Sequence, residues 1–225
     1  MSSNQRITEM NAYYAVRMTN YDQPGGGAPE GWVTDELVDL VKAALAGRDV
    51  LEVACGTGLW TGWLAPVAVS ICATDYNEPA LEIARRKPYP EGKVRFQQAD
   101  AYALSGVPDH FTGGFCCDWW SHIPKSKRSA FLRAFNGRLR PGARVLIVDQ
   151  RYWPAKHEFQ DEEGNQIQRR KLPDGRTCEV VKNFPSREEL LADLETWGAE
   201  IEYRTFENCG PNKAGRWCVS YTKKP

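Results

Sequence analysis

The stretch DVLEVACGTGLWTGWLA, residues 49–65, decides the fold. An apolar strand over 49–54 runs directly into Gly56-Thr57-Gly58 and then into a helix that begins near Trp60. Small residues at such a junction let the backbone pass close to a ligand, and the helix start presents unpaired N–H donors and partial positive charge. The turn therefore favours an anionic or polar ligand group. In an open sheet of parallel strands it lies at the carboxyl ends of the strands, near the point where strand order reverses and ligands bind.

Downstream the pattern alternates. VSICATD (69–75) predicts a strand, EPALEIARRK (78–87) a helix, KVRFQQAD (93–100) and HFTGGFCCDWW (110–120) strands, KSKRSAFLRAFNGRLR (125–140) a helix and ARVLIVDQ (143–150) a strand. Repeated strand–helix units imply parallel strands joined by right-handed crossovers, with helices on both faces of an open, doubly wound sheet. Beyond 150 the period changes. QIQRRKL and TCEVVKNF flank the turn sequence LPDGR, so 165–184 predicts a β-hairpin insert. SREELLADLETWG (186–198) reads as an N-capped helix, and AEIEYRTFE (199–207) and GRWCVSYTK (215–223) as antiparallel strands at one sheet edge. Upstream, residues 33–46 predict a helix with Thr34 as N-cap, and 4–21 a polar helix bearing aromatics, closed off by DQPGGGAPEG.

Composition narrows the function. The 225 residues carry 29 Lys+Arg against 29 Asp+Glu. That balance, with no basic block, gives no electrostatic reason to expect nucleic acid or an anionic membrane as partner, so a small molecule is expected. Cysteines at 55, 72, 116, 117, 178, 209 and 218 are odd in number, and none forms C-x-x-C. With only three histidines available, neither a disulfide framework nor a metal site is expected. The first residues lack a signal-peptide apolar run, which predicts a cytoplasmic protein, monomer or homodimer.

Glycine-rich strand-to-helix turns serve both dinucleotides and S-adenosyl-L-methionine (SAM). A dinucleotide fingerprint wants G-x-G-x-x-G, whereas here Trp60 follows Gly58-Leu59, and no G-x-x-x-x-G-K-[ST] occurs. Glu52-Val53-Ala54-Cys55-Gly56-Thr57-Gly58 instead resembles the first motif of class I SAM-dependent methyltransferases, an acidic residue followed by x-A/G-x-G-x-G, with Ala54 in place of one glycine. Other landmarks follow in order. Asp75, ending the second strand, matches the residue that accepts both ribose hydroxyls in that family, and a carboxylate suits a vicinal diol because it has two acceptor oxygens. Asp100-Ala101 match the pair near the adenine, 114–120 the fourth strand, and LRPGARVLIVD the fifth.

The resemblance covers about residues 40–150. It implies an α/β, Rossmann-like class I methyltransferase fold with a seven-stranded, mostly parallel sheet whose last strand is antiparallel. It further implies a single domain over 1–225, with a helical cover (1–47) and a substrate-side insert (151–184). The cofactor would be SAM and the product S-adenosyl-L-homocysteine (SAH). Glu52, Ala54, Cys55, Gly56, Gly58, Trp60, Thr61, Asp75, Tyr76, Asp100, Ala101, Asp118 and Trp119 would surround it.

The acceptor must be read from charge, because methyl transfer from a sulfonium asks the protein chiefly for alignment and exclusion of water. NAYYAVRMTNYD supplies Tyr13, Tyr14, Arg17 and Tyr21 at near-helical spacing. Similar Tyr-Tyr-x-x-Arg openings lid the cofactor in small-molecule methyltransferases, which assigns Tyr14, Arg17 and Tyr21 to the cofactor and Tyr13 to the substrate. His122, in WSHIP after the fourth strand, is the candidate catalytic residue, as a base or, when protonated, as a holder of an anionic oxygen. His110 and His157 sit in less suggestive loops. The insert, YY-x-x-R and W-x-x-H-[IV]-P together resemble the small bacterial phosphonate O-methyltransferases of dehydrophos biosynthesis, enzymes of secondary metabolism. There an Arg and a Lys bind the anionic head group, and the matching positions are Arg169 or Arg170, which alternation puts on opposite faces, and Lys182.

The expected function is SAM-dependent methyl transfer to an oxygen of a small anionic metabolite, phosphonate or carboxylate. Three alternatives stay open at this level. One is a methyltransferase of a neutral phenol, amine or thiol with His122 as general base; another is a non-catalytic SAM-binding module. Dehydrogenase use of the fold is disfavoured by the missing third fingerprint glycine.

Overall fold

The structure, a computed structural model, describes residues 2–18, 31–154, 158–172 and 174–225. In chain order it forms α1 (Ser3–Met18), α2 (Asp35–Leu45), β1 (Asp49–Val53), α3 (Leu59–Leu64), β2 (Ser70–Asp75), α4 (Glu78–Arg85), β3 (Val94–Gln98) and β4 (Phe111–Cys117). After these come α5 (Arg128–Asn136), β5 (Leu139–Gln150), β6 (Glu158–Gln160), β7 (Gln166–Lys171), β8 (Thr177–Val181), α6 (Arg187–Leu194), β9 (Gly198–Phe206) and β10 (Arg216–Lys223).

The main sheet has seven strands in the order β3-β2-β1-β4-β5-β10-β9. β1 pairs in parallel with β2 and β4 and is buried on both faces, Leu51 and Val53 on one side and Val50 on the other. β10 is antiparallel to both β5 and β9, so the last strand alone reverses, as expected. One face of the sheet buries Leu37, Val41 and Leu45 of α2 with Trp60 and Leu64 of α3. The other buries Phe131 and Phe135 of α5 with Trp120, Trp217 and Tyr221. Thr34 caps α2 by accepting from the Leu37 N–H, and Ser186 with Glu189 forms a reciprocal capping box on α6.

Three elements differ from the sequence reading. α5 starts only at Arg128, because 125–127 form a 3-10 turn, and it ends at Asn136, because Leu139 is captured by pairing with Phe111. The fourth strand stops at Cys117, and Trp120–His122 form another 3-10 turn. The insert is a three-stranded antiparallel sheet rather than a hairpin. Its first strand, Glu158–Gln160, is too short to show a period of its own and exists by pairing with β7.

α1 lies on this insert and not on the main sheet. Met10 and Tyr13 share a small separate core with Ile167, Leu172, Val180 and Val181. The buried Arg6 guanidinium reaches Asp161 (3.1 Å) and Glu179 (2.8 Å). Ser3 Oγ donates to Glu163 (2.7 Å). The N-terminal helix and the insert thus stand together over the carboxyl edge of the sheet, enclosing the space beneath them.

Candidate active site

A cavity of about 760 Å³ occupies that space, walled by the turns after β1, β2, β3 and β4 and by α1 and the insert. At its sheet end the chain turns sharply after β1. Ala54 takes φ 57 and Gly56 φ 55. The left-handed region costs an L-residue about 1–2 kcal/mol, so Ala54, at the position where the methyltransferase motif also admits glycine, holds backbone strain next to the cavity. Gly58 has φ 80, and a Cβ there would collide with the Tyr89 hydroxyl and stand 3.2 Å from the Ala84 Cβ.

The turn is braced from β2. The Gly56 N–H donates to Asp75 Oδ2 (2.9 Å) and the Asn77 N–H to Oδ1 (2.8 Å). Burial raises the Asp75 carboxyl above its ordinary value against the pull of those two N–H groups. The carboxylate presents two acceptor oxygens beside the turn, the arrangement a vicinal diol needs. Glu52 lies behind the turn, buried, accepting from Thr61 Oγ1 (2.7 Å), and burial pushes its carboxyl up to about 8. Asp100, Ala101 and the exposed Tyr76 line the same end with Tyr102 and Trp119, whose rings lie 5.8 Å apart. Tyr102 Oη and Trp119 Nε1 are buried without a partner among the described residues.

Towards the insert the chemistry changes. His122 Nδ1 lies 2.7 Å from the Val181 carbonyl, which only accepts, so Nδ1 carries the hydrogen. Nε2 is then the acceptor, and the Tyr14 hydroxyl, 2.8 Å away, donates to it. Arg170 Nη1 donates to the same hydroxyl (3.2 Å) and Nη2 to Gln168 (2.8 Å). Burial, reinforced by the charges of Lys182 and Arg170, holds the His122 ring well below its ordinary value, while burial pushes Tyr14 up to about 12 against the opposing Arg170 charge. Lys182 is almost fully buried, donating to Ser121 Oγ (2.7 Å) and lying 3.7 Å from Asp149. Burial lowers the Lys182 ammonium and raises the Asp149 carboxyl, each restrained by the other's charge.

Several expected residues stand elsewhere. Arg169 faces out, pairing with Glu179 (3.2 Å) and lying over the Phe159 ring, so alternation along β7 resolves the pair in favour of Arg170. Gly58 and Thr61 are not cavity walls: Gly58 backs onto Tyr89 and Ala84, and Thr61 is spent on Glu52. Trp60 touches the cavity but is mainly packed against Trp63 and Phe115. His122 lines the cavity, and burial with the charges of Lys182 and Arg170 disfavours its protonated form. Tyr21 and His157 lie outside the described residues. His110 stacks on Phe111 away from the cavity. Tyr13, Arg17, Ala54 and Cys55 do line it, and Cys55, with its thiol pushed well up by burial, offers no thiolate.

Sequence reasoning missed a cluster built around Asp118. Arg216 meets both its oxygens (2.8 and 3.0 Å), and Gln150 and the Trp32 indole also donate to it. Burial alone would raise this carboxyl, but Arg216 holds it well below the usual carboxylate range. The available signal was topological: an antiparallel last strand brings its first residue, Arg216, opposite Gln150 at the carboxyl edge of β5.

Residues 50–142 match the family model of the methyltransferase domain. The chain is 26% identical over 155 residues to a ubiquinone biosynthesis O-methyltransferase of Aeromonas salmonicida, covering 64% of this chain and 62% of the relative. It is 31% identical over 121 residues to the methyltransferase GfsG of Streptomyces halstedii, covering 52% of this chain and 42% of that one. The chain thus spans less than two thirds of these two curated relatives. Among solved structures, a DhpI-SAH complex is 27% identical with a TM-score of 0.76 and 100% coverage of both chains. A DhpI-SAM-HEP complex is 26% identical with a TM-score of 0.72, covering 98% of this chain and 99% of the other. The Asp75 carboxylate at the turn, beside the two orphaned polar atoms of Tyr102 and Trp119, fits a nucleoside cofactor of that kind. The methyltransferase-domain match from β1 into β5, joined to likeness over the whole length to a protein solved with both SAH and SAM, makes this chain similar to SAM-dependent methyltransferases in fold and in the place of its cavity.

Proposed function

We propose that the chain methylates an oxygen of a small anionic metabolite, a phosphonate or a carboxylate. The observation that carries this reading is the pair of enclosed cations, Arg170 and Lys182, on the wall that also bears Tyr14 and His122. SAM, when bound, supplies an electrophilic methyl group on a sulfonium. In this reading Asp75 and the Gly56 turn hold its sugar, Asp100 and Ala101 its base, and Arg17 its amino-acid end. Tyr76, Glu52, Ala54, Cys55, Asp118 and Trp119 complete the cofactor's surroundings, and Tyr13 shapes the acceptor side. Arg170 and Lys182 neutralise the acceptor and orient one oxygen, while α1 and the insert keep water out. An oxyanion arrives already deprotonated, so no proton has to be removed. The whole-length likeness to a protein solved with SAM and HEP supports the reading.

Kinetics on a panel of phosphonates and carboxylates, read by SAH release, tests it. Arg170→Gln is expected to raise KM for the accepted acid about tenfold or more, the scale of one charge-assisted hydrogen bond. An unchanged kcat/KM for every acid, in Arg170→Gln and Lys182→Met alike, overturns it. One observation favours a second reading. The neutral His122 ring keeps an acceptor nitrogen on Tyr14, so a phenolic acceptor could give its proton to that pair. Indifference to Arg170→Gln with loss of activity in His122→Gln would select that reading.

A further inference from the structure

α1 runs the length of the cavity and orders it. At one end Met18 Sδ would stand 3.9 Å from a Cβ on Gly56, over the cofactor turn. In the middle Tyr14 meets His122 and Arg170. At the other end Ser3 Oγ lies 3.2 Å from Ser126 Oγ in the 3-10 turn before α5. Between the middle and that far end the walls are Asn4, Ile7, Thr8 and Asn11 of α1 and Lys127 and Ala130 opposite. At 1.5 Å per residue, Thr8 and Asn4 lie about 9 and 15 Å from Tyr14 along the helix axis.

These far residues differ from the central ones in what their polar groups do. Tyr14, Arg170 and Lys182 are all engaged with protein partners. The half-buried Lys127 ammonium and the carboxamides of the half-buried Asn11 and the exposed Asn4, at the cavity mouth, have no hydrogen bond or ion pair among the described residues. The carboxylate at this end, Glu163, accepts from Ser3 and Ser126 and is not a cavity wall. This end of the cavity, with a half-buried cation and two amides left without protein partners, offers complementary groups to a polar chain that ends in negative charge.

We propose that this end of the cavity is a second acceptor subsite, which takes the far end of an elongated, bifunctional acid. Lys127 binds a second anionic group, carboxylate or phosphoryl, and Asn11 and Asn4 line its polar spacer. The proposal rests on the anionic-acceptor reading above and narrows it: the natural acceptor carries two anionic ends, one methylated beside Arg170 and one held beside Lys127.

The test compares methylphosphonate and acetate with ω-carboxyalkylphosphonates and α,ω-dicarboxylates of increasing length. The ratio of kcat/KM, long over short, is expected to pass through a maximum of about tenfold or more, as one charge-assisted contact gives. In Lys127→Ala that ratio falls to about one, and in Lys127→Arg most of it returns. A flat length series, or a maximum that persists in Lys127→Ala, overturns the subsite while leaving the anionic-acceptor reading intact. Methylation of no acid of any length overturns that reading and the subsite together.

Discussion

The two ends of the cavity are built by different means. At the cofactor end the bracing contacts join neighbours in sequence: Thr61 to Glu52 across 9 residues, Gly56 to Asp75 across 19. At the acceptor end they join distant ones: Lys182 to Ser121 across 61, Tyr14 to His122 across 108 and Arg170 to Tyr14 across 156. The first end follows from one strand–turn–helix unit repeated along a sheet. The second exists only after α1, the insert and the turn after β4 have met, so its shape is a property of the tertiary fold.

The comparison makes separable predictions. The largest effect is expected from Asp75→Ala, which removes the proposed ribose acceptor and the brace on the Gly56 turn. SAM affinity by calorimetry should fall about 100-fold, the scale of two charge-assisted hydrogen bonds. A loss confined to the acid's KM would break the division between the two ends. Next, Tyr14→Phe takes away the hydroxyl shared by Arg170 and His122 and leaves the His122 nitrogen without its donor. We expect kcat/KM for the acid to drop about tenfold, with SAM affinity altered much less. Equal losses for both ligands would show that α1 couples the two ends.

A pH effect should come third. Burial lowers the Lys182 ammonium from its ordinary 10.5, so its charge is lost at lower pH than that of a free lysine. KM for the acid should therefore climb on the alkaline side, and Lys182→Arg should flatten the climb because a guanidinium stays charged. The smallest effect concerns stability at the cofactor end. Glu52 titrates near 8 when folded against an ordinary 4.5, so the native state keeps a proton that the unfolded chain releases. Stability then declines as pH rises between those values. Glu52→Gln should remove that slope, so its Tm advantage over the parent should widen from pH 5 to pH 8, by about 2–4 °C per kcal/mol. Parallel melting curves would refute it.

The same contrast explains what the sequence disclosed. The Ala54–Gly58 turn, Asp75 and Asp100 are legible because a local period places each at the end of a successive strand. Thr61 and Gly58 stand behind the cavity lining because a motif carries residues that brace a turn along with those that face a ligand. Choosing Arg170 over Arg169 needed the side of β7 that faces α1, which alternation leaves undecided until the pairing is known. Arg216 escaped because nothing near it in sequence points to a carboxylate 98 residues away. The strand β6 was invisible for a related reason: three residues carry no period, and β7 alone holds them.

The little core that α1 shares with the insert has a consequence for engineering. Because Met10 and Tyr13 pack on Ile167, Val180 and Val181, and Arg6 sits buried between Asp161 and Glu179, the two segments form one transplantable cassette despite lying more than a hundred residues apart. A graft of both from a relative keeps this small core intact and has to preserve the contacts of Tyr14, Val181 and Lys182 with His122, Ser121 and Asp149. Grafting one alone would strand a buried guanidinium or its two carboxylates, a mismatch on the order of 3–5 kcal/mol, and chimaeras of that kind should fail to fold.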